Sequence, residues 1–163
     1  MGSGEANFDI SIKEIEKIQE SWALVRKDIR NNGMEFFLTL FRAHPEYQEH
    51  FPAFKNIPLP ELKQSGKFRG HATTVMYSVS SCVGSLEDPE LIETLVDKIG
   101  QNHFTRGVTT EMFTNLMTVL VGFLQEALGS EVMDDETTGA WKKLGAYFVK
   151  VVGVGLNKAK ENC

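Results

Sequence analysis

The chain has 163 residues, 42% hydrophobic and 24% charged, with a formal net charge of −5, which suits one soluble domain able to bury its own core. The mild acidic balance argues against nucleic acid and anionic membrane surfaces, both of which select Lys/Arg patches; neither is expected as a partner. Two cysteines, Cys82 and Cys163, without a CxxC, make no disulfide framework. Cys82 reads as a small buried hydrophobe and Cys163 as a loose terminal thiol. No apolar run approaches the roughly 20 residues a spanning helix needs. The opening MGSGEANFD lacks the apolar stretch of a signal peptide. It begins Met-Gly, but Ala6 stands where a myristoylation motif requires Ser or Thr. The expected setting is cytoplasmic.

The expected fold class is all-α. Residues 1–10 are expected to form a flexible segment, 11–160 one domain and 161–163 a tail. Ser11 and Glu14 make a capping-box signature. Ile12, Ile15, Ile18, Trp22, Val25 and Ile29 then recur at steps of three or four, which is one face of a helix. Asn31-Asn32-Gly33 is expected to break or bend it. Phe37, Leu40 and Phe41 continue at helical spacing into His44-Pro45, where Pro starts a short helix. Phe51, Pro52 and Phe54 form an aromatic corner, and Ile57-Pro58-Leu59-Pro60 is the strongest break.

A helix is expected over about Ser65 to Ser85, with Phe68, His71, Val75, Val79 and Cys82 on one face. Asp88-Pro89 caps and starts the next, whose stripe is Ile92, Val96, Ile99 and His103, with Gly107 as its stop. Two long helices finish the chain. The first carries Met112, Phe113, Leu116, Leu120, Phe123, Leu124 and Leu128 and should stop at Gly129. The second begins near Asp134-Asp135 and carries Trp141, Leu144, Phe148, Val151 and Val152; Val149–Val154 continues its stripe and is assigned to helix, not strand. The result is seven or eight helices with short links.

His71 and His103 carry the chemistry. Each lies on the apolar stripe of its own helix, where an imidazole without a partner costs several kcal/mol on a rough scale. A hydrogen bond to a backbone carbonyl would explain one such histidine. Two on consecutive aliphatic helices point to shared ligation, and imidazole is a common iron ligand, including in haem. No Cys or carboxylate cluster gives zinc spacing. The 11 Phe supply walls for a flat apolar group, although core packing is the commoner use. His44 and His50 read as surface or interface residues off both stripes.

In order, Trp22, Phe37–Glu46 with its Pro45, Phe51, His71–Val75 and Ile99–His103 resemble the animal globin family over about residues 11 to 160, and Gly107-Val108 resembles a neuroglobin-like form of it. The resemblance implies a globin fold around a haem pocket, with haem b (iron protoporphyrin IX) held by His103 as proximal ligand. His71 would face it as distal histidine, donating to a bound gas or itself taking the sixth position. The other nitrogen of His103 would donate to a carbonyl or hydroxyl. Phe37, Phe51, Phe54, Phe68, Val75, Ile99 and Val108 would wall the pocket. Lys67, Thr74 and Arg106 would meet the propionates, although neuroglobins carry Lys where Thr74 stands.

The implied small ligands are O2, CO and NO, in storage or transport through five-coordinate ferrous iron. The alternative is a six-coordinate globin in a redox, gas-sensing or NO-scavenging role. A dedicated NO dioxygenase would need a reductase partner or a fused flavin domain, for which 163 residues leave no room. No catalytic residues are assigned, and oligomeric state is left open.

Overall fold

Five of six α-helices begin at a side-chain cap, which satisfies backbone N–H groups that have no partner within the helix. The computed structural model describes residues 8–163. In it α1 (Ile12–Arg26) starts at the Ser11–Glu14 capping box. Helix α2 (Ile29–Ala43) follows with no side-chain cap. Helix α3 (Gly66–Val83) starts at Ser65, α4 (Pro89–His103) at Asp88, α5 (Thr110–Val132) at Thr109 and α6 (Asp135–Glu161) at Asp134. Three 3₁₀ turns, Pro45–His50, Leu59–Gln64 and Phe104–Arg106, make the links. No strand occurs among the described residues, so the all-α class holds.

Four local expectations change. The first break falls at Lys27-Asp28, not at Asn31-Gly33. Asn32 donates from Nδ2 to the Val25 carbonyl at 2.9 Å, tying the end of α1 to α2. Gly33 serves a close crossing: a methyl group there would meet Met76 Cγ at 2.7 Å and the Ala72 carbonyl oxygen at 3.1 Å, so α2 and α3 approach through it. Gly129, at φ 80, kinks α5 but a further turn follows. Ile12 is 79% exposed and lies off the buried stripe that Ile15, Ile18, Trp22 and Val25 form. Helix α5, 23 residues long, also meets the length and hydropathy of a membrane span, contrary to expectation. Its Phe113, Leu120, Val121, Phe123 and Leu124 are buried in the protein's own core.

Of the segment expected to lie loose, residues 1–7 fall outside the described residues. Phe8 and Ile10 pack on the core, Phe8 meeting Tyr147 edge-on at 5.2 Å. Helices α1 and α6 are joined by Trp22 and Trp141, rings 5.9 Å apart. Both indoles bury their N–H with a partner: Trp22 donates to Ser80 at 2.9 Å and Trp141 to Ser21 at 2.8 Å. With α1 packed on the first half of α6 in this way, residues of α2, α3, α4, α5 and that same half of α6 surround one cavity.

Candidate functional site

Helices α3 and α4 each deliver one histidine to the wall of that cavity, whose volume is about 210 Å³. Of the residues singled out from the sequence, Phe37, Phe51, His71, Val75, Ile99, His103, Arg106 and Val108 line it. Four do not. Phe68 is fully buried and Phe54 is 4% exposed. The Phe54 ring stacks on Phe51 at 5.0 Å and meets Phe68 edge-on at 5.5 Å, so both stand as a second layer behind Phe51. Lys67 and Thr74 are exposed and off the wall. Thr74 folds its hydroxyl back onto the Gly70 carbonyl at 2.9 Å, as mid-helix threonines often do.

The two imidazoles differ in how they are held. His103 Nδ1 lies 2.7 Å from the Ile99 carbonyl oxygen. A carbonyl only accepts, so Nδ1 carries the proton and Nε2 keeps its lone pair. Phe113 meets the ring edge-on at 5.5 Å. Burial lowers the His103 pKa, partly offset by that hydrogen bond, with the Arg106 charge lowering it further. His71 makes no hydrogen bond among the described residues. Its ring is instead caged by Phe37 at 4.9 Å and Phe51 at 4.7 Å, with Phe54 at 6.1 Å. Burial pushes its pKa down to about 4, and the charges of Arg106 and His103 act in the same direction. At neutral pH His71 therefore offers one N–H and one lone pair, both unspent.

Sequence periodicity missed part of the wall. His50 lines the cavity and its Nδ1 is 3.1 Å from the Arg106 carbonyl oxygen, joining the Pro45–His50 turn to the turn after α4. It sits in a 3₁₀ turn, where helical spacing carries no signal. Tyr47 also lines the cavity, its hydroxyl accepting from Asn115 Nδ2 at 2.8 Å. Met112, Phe113, Leu116 and Phe148 complete the far side from α5 and α6. They lie on stripes read from the sequence, but a stripe alone does not separate cavity wall from solid core.

An almost wholly apolar slot, a ring nitrogen with a free lone pair on one wall, a neutral histidine on another and one guanidinium at the rim suit a flat apolar metal chelate with acidic edges. Among the described residues no group of three or more His, Cys, Asp or Glu could hold a bare metal ion.

Residues 34–152 match the family model described as Globin. A globin of Nerita albicilla is 31% identical over 126 residues, covering 77% of this chain and 80% of its own. Globin CTT-W of Chironomus thummi piger is 30% identical over 131 residues, 78% of each chain. Among solved structures, a hexacoordinated haem protein from an anhydrobiotic tardigrade superposes with a TM-score of 0.84 at 20% identity, covering 92% of this chain and 97% of its own. The hexa-coordinate haemoglobin of Drosophila melanogaster gives 0.81 at 23% identity, covering 88% and 93%. These two establish likeness of fold; the family model and the sequence relatives establish kinship. The chain belongs to the globin family.

Proposed function

We propose that this globin holds haem b through His103 and binds O2, CO or NO reversibly. The observation that carries the proposal is the state of His103: Nδ1–H is engaged by the Ile99 carbonyl at 2.7 Å, leaving Nε2 as the free donor on a cavity wall. Haem, when bound, supplies an iron centre at which a diatomic gas can attach. The chain's own part is to position, shield and polarise. The Ile99 bond fixes the tautomer and orientation of His103 and raises its basicity as a ligand. Phe37, Phe51 and Val75 keep water from the ligand side. His71 stays neutral, its pKa being about 4, and can donate its one N–H to a gas that carries partial negative charge. Arg106 offers its charge to the acidic edge of the cofactor.

A second reading has His71 itself as the sixth ligand, in a redox or sensing role. It draws support from the unspent lone pair of a caged, neutral His71 and from the likeness to two structures described as hexacoordinate. Gas affinity would then fall in proportion to the closed fraction. A cytoplasmic setting, with a cellular reductase keeping the iron ferrous, belongs to either reading. The absorption spectrum of the reduced, ligand-free protein tests the choice. One broad visible band supports the five-coordinate gas carrier; sharp split bands that CO converts slowly support ligation by His71.

A further inference from the structure

Helices α4 and α6 cross with backbone against backbone. A methyl group on Gly100 would lie 2.5 Å from the Val152 carbonyl oxygen and 3.2 Å from the Cα of Gly155. One on Gly155 would meet the Asp97 carbonyl oxygen closer still, and the Gln101 nitrogen at 3.2 Å. Ordinary contact begins at 3.4 Å, so a side chain at Gly100 is about 0.9 Å short of room. The obstructing atoms are main chain inside two helices and cannot rotate aside. Packed helices usually keep their axes roughly 8–10 Å apart, and paired glycines permit a closer crossing. Both glycines are buried.

This crossing lies at the turn that carries His103. Gly100 precedes His103 by three residues, and Ile99, whose carbonyl fixes the ring, is its neighbour. Asp97, whose carbonyl faces Gly155, also accepts from Lys158 Nζ on α6 at 3.2 Å and from Gln101 Nε2 at 2.8 Å. Exposed ion pairs are weak tethers, so the backbone contact is the firm stop. The same helix puts Val96, Ile99 and His103 on the cavity, with Val96 one turn before Gly100 and His103 one turn after it. The depth at which α4 rests on α6 therefore sets where the imidazole stands.

We propose that Gly100 and Gly155 form a backbone seat that positions His103 and, through it, sets the balance between its cavity-side ligation and that of His71. The consequence for ligation rests on the haem reading above; the placement of the ring does not. A displacement near 1 Å at a reacting group changes rates by up to about a hundredfold, so a change on the order of tenfold or more is expected here.

The test compares Gly100→Ala and Gly155→Ala with Gly153→Ala, a control on the same helix where a methyl meets only Thr110 Oγ1, at 3.7 Å. Three readouts apply: the iron–imidazole stretching frequency of the reduced haem-loaded protein, its ratio of six- to five-coordinate iron, and the His103 ring signals in nitrogen-15 spectra of the haem-free chain. Both seat variants should shift all three, and Gly153→Ala none. If the ring signals move while no variant takes up haem, the seat stands and the haem reading falls. Wild-type values for all three in Gly100→Ala and Gly155→Ala overturn the seat. If either alanine variant fails to fold, it is refolded with excess haem and CO, which favour the native state by mass action. A wild-type spectrum regained there overturns the proposal. So does continued failure of both to fold, because the crossing would then serve the fold and not the ring.

Discussion

Replacing Phe54 with alanine tests whether the aromatic layer behind Phe51 is structural support and not cofactor contact. The ring is 4% exposed and touches four others: Phe51 stacked at 5.0 Å, Phe68 at 5.5 Å, His71 at 6.1 Å and Phe41 at 6.5 Å. Losing its transfer free energy alone would cost about 1.5–3 kcal/mol. Phe41 and Phe68 are fully buried and anchored on α2 and α3, so they cannot close the void, and the cavity term raises the cost to about 3–5 kcal/mol. For a domain of this length that is a fall in Tm of roughly 6–20 °C at about 2–4 °C per kcal/mol. Guanidinium unfolding followed by circular dichroism, with haem in the same excess for both proteins, measures it. Phe54→Leu should lose much less. A loss below about 1 kcal/mol for Phe54→Ala would refute the packing argument, because it would mean that the site collapses freely.

Three further outcomes are expected. His71 is held neutral by burial, with a folded pKa of about 4 against an ordinary 6.5. A depressed folded pKa gives stability that is complete above about pH 6.5 and is lost as pH falls toward 4. At about 1.4 kcal/mol per pKa unit the haem-free chain should lose roughly 3 kcal/mol over that range through this group; urea unfolding of His71→Leu should show a correspondingly smaller acid loss, and an unchanged loss would count against the burial account. Ser21→Ala leaves the buried Trp141 indole N–H without its 2.8 Å acceptor. It should cost about 1–3 kcal/mol, and chemical denaturation followed by tryptophan fluorescence checks this. Arg106→Ala should speed haem loss to an acceptor protein several-fold, whereas Lys67→Ala and Thr74→Ala, both off the cavity wall, should change it by less than about twofold.

The helix starts were readable because a cap is a local event. Ser11, Asp88 and Asp134 each accept from an N–H three residues on, and the sequence contains all the participants. Gly33 was misread because its reason is not local: it makes room for Met76 and Ala72, some forty residues away. The same limit hid the purpose of Gly100 and Gly155. Both histidines were found because a titratable ring on an apolar stripe is conspicuous. Phe54 and Phe68 enter the expected pocket through the family resemblance, and only packing separates a first aromatic layer from a second. Thr74 lies three residues after His71, yet its hydroxyl turns back to Gly70 while Ser78, seven after, lines the cavity. His50 escaped because a 3₁₀ turn has no face that helical spacing can predict.

Haem titration of the wild-type chain beside His103→Gly, followed by adding free imidazole to the variant, bears most directly on the assignment of His103. The wild type should take up one haem per chain with an imidazole-ligated spectrum; the glycine variant should lose that spectrum and recover it when imidazole fills the gap. A variant that binds haem as the wild type does, indifferent to added imidazole, would contradict the account.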